Sequence, residues 1–226
     1  MYKRQGKIRP GARGIFNDSY RCTLNFIYTD NQGALYIGTA GHCAPNYNPR
    51  KISAAGVADI GEVAFTTGNG GVGNDFALIR IDPAYVRFIN PTLCHWGGPT
   101  NLVDQGELLG NAPVLHYGWG FVYGNTPVTR PREGVLASPT YGPNAFTFVG
   151  LVAPGDSGSG VETAFGGAIG VVTHTLIASG AAPLGLGVGI AMRVDKGLAM
   201  ASASTGHTYT LVQGWQGVDL TGVFVP

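Results

Sequence analysis

The chain has 226 residues, of which 37 are Gly and 14 are Pro, about double the usual share of these two types. Apolar residues reach 44% and aromatics 10%, while charged residues make up only 12% and the formal net charge is +1. So much to bury with so little self-repulsion excludes a disordered chain, and the even charge excludes the basic field that nucleic-acid binding needs. Glycines spread through apolar segments favour short strands and tight turns, and the length suits one large all-β domain or two small ones.

The opening carries five basic residues (Lys3, Arg4, Lys7, Arg9, Arg13) and reads as a solvated terminus. Met1–Gln5 is set aside as an addition to the native chain. Arg21–Thr29 alternates Cys22, Leu24, Phe26 and Tyr28 on one face, which predicts a half-buried strand. Asp30-Asn-Gln-Gly33 is turn chemistry, and Ala34–Gly38 returns as a second strand. Further strands are expected at Ile60–Phe65, Phe76–Ile81, Val114–Trp119, Phe146–Val152, Ala168–Thr173 and Val188–Val194. Short helices are expected at Pro83–Phe88 and at Asp195–Ser204, the latter with Asp195 as N-cap. Thr163–Met192 is free of charge over 30 residues, but seven glycines and Pro183 interrupt it, so it reads as core strands and not as a membrane span. The last twenty residues alternate again at Tyr209 and Leu211 and at Val223 and Val225, enough for an edge strand or two. About a dozen strands without a βαβ rhythm predict an all-β chain, as two barrels or a sandwich. A Pro/Gly-rich seam at Asn90–Gly106 divides it.

Three local motifs could carry chemistry: Thr39-Ala-Gly-His42-Cys43 after a strand, Asn74-Asp75-Phe-Ala-Leu-Ile79 opening one, and Pro154-Gly-Asp-Ser157-Gly-Ser159-Gly160. Singly, each has a plain structural reading. Together, in the order His, Asp, Ser, they match a chemical need. A serine hydroxyl is a poor nucleophile until an imidazole takes its proton, and that imidazole needs a buried carboxylate to fix its tautomer. Glycines beside Ser157 suit a tight turn that aims the amides of Gly155 and Ser157 at one point, where an oxyanion would form.

On these motifs the chain resembles the chymotrypsin-fold serine proteases, most closely their bacterial secreted branch, over roughly residues 14–204. The spacings, 33 residues from His42 to Asp75 and 82 from there to Ser157, suit a compact bacterial member. The resemblance implies two packed six-stranded antiparallel β-barrels with the active site in the cleft between them. The divisions it implies are an N-terminal extension (1–13), a first barrel with His42 and Asp75 (14–98), a second barrel with Ser157 and the specificity pocket (99–204), and a C-terminal extension (205–226). His42 would be general base and acid, Asp75 its orienting carboxylate, Ser157 the acylated nucleophile, and the Gly155 and Ser157 amides the oxyanion hole. Asp156 would be a buried carboxylate behind the site. No Ile-Val-Gly-Gly start exists to pair with it, so activation by an inserted amino terminus is not expected. Ser159 stands where many members have Gly, a small change the site should tolerate.

A Cys22–Cys43 disulfide, as in that family, would tie the histidine loop to its barrel and imply an oxidising compartment, leaving Cys94 as a buried thiol. Counting from Ser157, Leu151 falls at the base of the specificity pocket, with Thr173, His174 and Thr175 as a wall. Nothing acidic sits there, so Lys and Arg substrates are disfavoured. Glutamate stays open through His174, whose plainer reading is structural. His95, His116 and His207 lack a partner pattern, and no cluster at ligand spacing suggests a metal. The implied protein is a secreted serine endopeptidase acting on peptides without a cofactor, away from nucleic acid and membrane, with nothing that demands more than a monomer. Two rivals stand: a catalytically silent module of the same fold that binds or adheres, and a structural β-domain in which the motifs coincide by chance. An α/β-hydrolase order (Ser157, Asp195, His207) fails for want of helices and of Gly at position 159.

Overall fold

A computed structural model describes residues 7–16, 20–44, 52–54, 57–104, 107–121, 126–177 and 186–217, and among them the chain forms fifteen strands and one α-helix. The first half contributes β1 (Arg13–Phe16), β2 (Tyr20–Thr23), β3 (Ile27–Asp30), β4 (Leu35–Thr39), β5 (Ile52–Ala54), β6 (Gly61–Thr66) and β7 (Ala77–Ile81). Turn chemistry sets the β3–β4 hairpin: Asp30 Oδ1 accepts from the amides of Gln32 (2.9 Å) and Ala34 (2.8 Å), holding the bend open for Gly33. Two antiparallel sheets result, ordered β2-β1-β5 and, with the late strand β15 (Tyr209–Leu211), β15-β3-β4-β7-β6. They close over one shared core that includes Ile8, Phe16, Leu24, Ile37 and Ile79.

The expected strand Arg21–Thr29 is instead two strands. At Leu24–Phe26 the chain changes sheets: Leu24 N–H donates to Ala12 O and Asn25 N–H to Gly38 O, each at 2.8 Å. Both alternating sets are consequently buried, Thr23, Asn25 and Ile27 as fully as Leu24 and Phe26, so the segment is not half-exposed. The solvated terminus also needs correction. Arg9 is buried, with its guanidinium donating to Thr92 O, and Ile8 bridges Ile89.

The second half holds β8 (Asn101–Leu102), β9 (Pro113–Tyr117), β10 (Pro131–Ser138), β11 (Ala145–Leu151), β12 (Gly160–Thr163), β13 (Gly167–Ile177) and β14 (Leu186–Arg193). The order β12-β9-β10-β11-β14-β13 closes on itself through a β12–β13 pairing, giving a six-stranded antiparallel barrel, while β8 pairs parallel to β13 outside it. Val114, Leu136, Phe146, Phe148, Val161 and Ile169 fill its centre. Between the halves, Phe26, Phe76 and Leu78 of the first pack on Ala168, Val171 and Met192 of the second, with Val194 and Leu198 of α1 (Val194–Thr205). α1 starts one residue before the expected helix and has Arg193 at its N-cap. Asp195 lies inside the first turn, 3.0 Å from Arg193 Nε, where it favours the helix dipole without capping. The alternation at Val223 and Val225 lies outside the described residues. Among those residues no helix is long and apolar enough to cross a membrane.

The Cys22–Cys43 disulfide is present, joining β2 to the turn after β4 across 21 residues of sequence. Cys94 is buried and outside it. In the chain-entropy description a loop of this size stabilises by about 3 kcal/mol, so reduction is expected to lower Tm by roughly 6–12 °C. An unchanged Tm in reductant would show that the bridge contributes nothing.

The second barrel also buries two titratable groups with opposite pH signatures, His116 on β9 and Glu162 on β12, both essentially inaccessible. Burial, reinforced by the Arg132 charge, lowers His116 from 6.5 to about 3. The unfolded chain then binds the extra proton between those values. Stability from His116 is full above pH 6.5 and fades as pH falls through this window, by up to about 5 kcal/mol. Burial instead raises Glu162 well above 4.5, so the folded chain keeps its proton and stability fades as pH rises beyond 4.5. These slopes oppose each other between pH 4.5 and 6.5 and should leave a plateau there. Tm scans should show Glu162→Gln losing the alkaline decline and His116→Gln losing the acid one; wild-type slopes in both variants would contradict the assignment.

Candidate active site

β4 ends at Thr39, and a single 3-10 turn, Gly41–Cys43, carries His42 away from the sheet. Cys43 N–H donates to Ala40 O and Ala44 N–H to Gly41 O, so the turn is set by its own backbone. Asp75 lies just before β7, fully buried, with its amide facing Met192 Sδ of the second barrel at 3.1 Å. Its carboxylate takes hold of the histidine turn twice: Oδ1 accepts from the His42 backbone N–H at 2.7 Å, and Oδ2 meets His42 Nδ1 at 2.7 Å. The first contact fixes the turn and the second fixes the ring. The His42 side chain remains about one-fifth exposed.

Ser157 sits in the loop between β11 and β12. Asp156 N–H donates to Ala153 O and Ser159 N–H to Asp156 O, giving two overlapping turns with Ser157 between them. Positive φ at Gly155 (104°) and Gly158 (90°) makes this path available, and a Cβ at Gly158 would overlap the Thr23 carbonyl. The amides of Gly155 and Ser157 donate to no acceptor among the described residues. A cavity of about 400 Å³ is lined by His42, Ser157, Gly155 and Pro154 together with Tyr20, Arg21 and Cys22. His42 and Ser157 thus face one space, although no hydrogen bond joins their side chains.

Two anchoring groups escaped the sequence reading. Thr23 ties the first half to the nucleophile loop: its N–H donates to Ser157 O (2.8 Å) and its hydroxyl to Gly155 O (2.9 Å), while Trp119 N–H donates to that hydroxyl (3.1 Å). Arg132, fully buried on β10, pairs with Asp156, which also accepts from Gly120 N–H (2.7 Å) and Ala153 N–H (2.9 Å). Burial pushes the Asp156 carboxyl up, with Arg132 and those amides opposing it. The charge opposite Asp156 is therefore a side chain of the same barrel. Ser159 is buried, its hydroxyl donating to Tyr117 O at 2.9 Å.

The residues expected around a specificity pocket do not line the cavity described above. Leu151 ends β11, half-buried and paired with Leu186. Thr173 is buried and donates its hydroxyl to Ile190 O at 3.2 Å, which turns it toward β14. A β-bulge between Val172 and His174 brings the His174 ring to 6.3 Å from that of His42 and its Nδ1 to 4.0 Å from Asp75 Oδ2. Thr175 Oγ1 is buried without a hydrogen-bond partner among the described residues. Cys22, His42 and Cys43 lie close enough to suggest metal ligands, but the two sulfurs are spent in the disulfide.

No family model matches the sequence, and no curated protein matches it. Solved structures do match in shape. The Nocardiopsis protease NAPase is 17% identical with a TM-score of 0.60, over 90% of this chain and 98% of its own. The HtrA-type protease AlgW with a tripeptide is 17% identical with a TM-score of 0.60, and the match covers 88% of this chain but only 61% of AlgW. An inactive serine-to-alanine mutant of Rv3671c from M. tuberculosis H37Rv is 16% identical with a TM-score of 0.55, over 86% of this chain and 85% of its own. With a closed second barrel, a two-sheet first half around one core, and these neighbours, the chain has the two-barrel fold of the chymotrypsin-like serine proteases.

Proposed function

We propose that the chain is a serine endopeptidase that cleaves peptide bonds through an acyl-enzyme, with Ser157 as nucleophile, His42 as general base and acid, and Asp75 as the orienting carboxylate. One observation carries this reading: a buried carboxylate grips His42 at both ring and backbone, each at 2.7 Å, beside the cavity that His42 shares with Ser157. The fold, common to serine proteases, supports it.

An ionised carboxylate can only accept, so Nδ1 of His42 carries the proton and Nε2 keeps a lone pair for the serine hydroxyl. Nε2 takes that proton as Oγ attacks the scissile carbonyl, and Asp75 stabilises the resulting imidazolium. The imidazolium then protonates the leaving amine as the C–N bond breaks, and water repeats the sequence on the acyl ester. The unengaged amides of Gly155 and Ser157 are the donors for the oxyanion, each typically worth ~100- to 1,000-fold in rate. A resting site without a Ser157–His42 hydrogen bond suits this scheme, since such bonds often tighten only once substrate is bound.

With no carboxylate among Leu151, Thr173, His174 and Thr175, the acyl-side preference is for uncharged side chains over Lys or Arg, with His174 leaving glutamate open. The disulfide fits an oxidising, extracellular setting. The route needs peptide and water but no cofactor. A fluorophosphonate probe should form one adduct, on Ser157, and Ser157→Ala should abolish both adduct and peptide cleavage with Tm unchanged. Asp75→Asn should fold yet lose about 10⁴-fold in kcat through the wrong histidine tautomer. Near-normal kinetics in that variant would move the third member elsewhere, with Asp59 next to test. A folded wild-type chain that takes no adduct would favour the silent binding module.

A further inference from the structure

The cavity beside His42 is lined by a guanidinium, that of Arg21, which the triad does not use. In the proposed mechanism His42 protonates the leaving amine, so the peptide beyond the scissile bond runs past the His42 ring. Tyr20, Arg21 and Cys22 line the cavity together with His42, whereas the residues expected on the acyl side line none of it. Arg21 projects from β2 with its side chain exposed. Arg13 and Arg130 lie over the same Trp119 ring, with guanidinium carbons 4.8 and 3.4 Å from its centroid. The Arg13 guanidinium is held below its ordinary value by burial and then by the charges of Arg21 and Arg130, so Arg13 lies within electrostatic reach of Arg21. Among the described residues no carboxylate pairs with Arg13 or Arg21, and none lines this cavity.

We propose that the leaving-group side of this cleft is a binding subsite for acidic residues, selecting substrates with Asp or Glu in the first three positions after the scissile bond. Arg21 supplies the direct contact, because its planar fork matches a carboxylate. Arg13, on the neighbouring strand β1 and held over Trp119, adds to the positive field that draws such segments in and keeps basic ones out. This assignment rests on the protease reading for its direction along the substrate.

The test compares quenched fluorescent peptides that are identical up to the scissile bond and carry Asp/Glu, Asn/Gln or Lys/Arg after it. The wild-type chain should cleave the acidic series with a kcat/KM about three- to tenfold above the neutral one and further above the basic one. Arg21→Gln should flatten this order and Arg21→Glu should reverse it; ratios taken within each protein cancel any general loss of activity. Raising salt from about 0.01 M to about 1 M, which shortens the screening length from roughly 30 to 3 Å, should erase most of the preference. Equal cleavage of the three series, or a preference that survives Arg21→Glu, would overturn the subsite while leaving the protease standing. If the folded chain takes no fluorophosphonate adduct and cuts nothing, the protease reading has failed, and binding of the same peptides to Ser157→Ala still decides: tighter binding of acidic peptides that is lost in Ser157→Ala/Arg21→Glu supports the subsite, and equal affinity refutes it.

Discussion

The site depends on a hydrogen-bonded suture at Thr23. The candidate nucleophile belongs to one barrel and its histidine to the other, so their alignment is a question of how the two halves register. Apolar packing between them is strong but unspecific in register. Thr23 adds what packing lacks: directed bonds from its N–H to Ser157 O and from its hydroxyl to Gly155 O, while its carbonyl accepts from Thr39 Oγ1 at the end of β4. The strand that precedes the histidine turn and the loop that carries Ser157 thereby share one residue. Thr23 and Thr39 are buried, so loss of a partner would leave their polar atoms unsatisfied at about 1–3 kcal/mol each.

Buried charge completes the frame on each side of the suture. Asp75 faces His42, and Asp156 faces Arg132; the first carboxylate holds one backbone amide and the second two, each beside its side-chain partner. Desolvation makes such groups expensive unless every lone pair is used. That requirement fixes loop paths more tightly than apolar contact does: the amides of Gly120 and Ala153 must converge on Asp156. Their convergence leaves Gly155 and Ser157 as the amides with no inward partner. The unengaged donors are thus a by-product of satisfying Asp156, and Arg132 keeps that arrangement from within the same barrel.

What could be read from the sequence is what local chemistry writes. His42, Asp75 and Ser157 each sit in a short motif, turns such as Asp30–Gly33 announce themselves, and short apolar runs mark β7, β9 and β11. The pieces that were not legible act at long range or under disguise. Thr23 meets Gly155 across 132 residues and has no signature of its own. β10 begins with Pro131, and its charged and glycine residues hide its alternation; Arg132 faces inward only because Asp156 waits there. β12 was concealed by the Gly/Ser loop that runs into it. The break of Arg21–Thr29 into two strands was invisible because Thr23 and Asn25, which read as an outward polar face, are buried by the sheets the segment serves.

Most contacts that position this site end on backbone atoms: Ser157 O, Gly155 O, Gly120 N–H, Ala153 N–H and the His42 N–H. Backbone groups are supplied by any residue that can follow the path, so side chains around the site are free to drift while its geometry stays. Only a few positions resist: those whose side chain is itself the partner, such as Asp75, Asp156 and Thr23, and the glycines whose φ or close approach no other residue tolerates. A chain under these rules keeps the two-barrel fold at identities too low for its sequence to betray it. The freedom falls to exposed positions on the rim of the cleft, such as Arg21, where a change of charge alters what the cleft attracts without disturbing the bonds that hold it together.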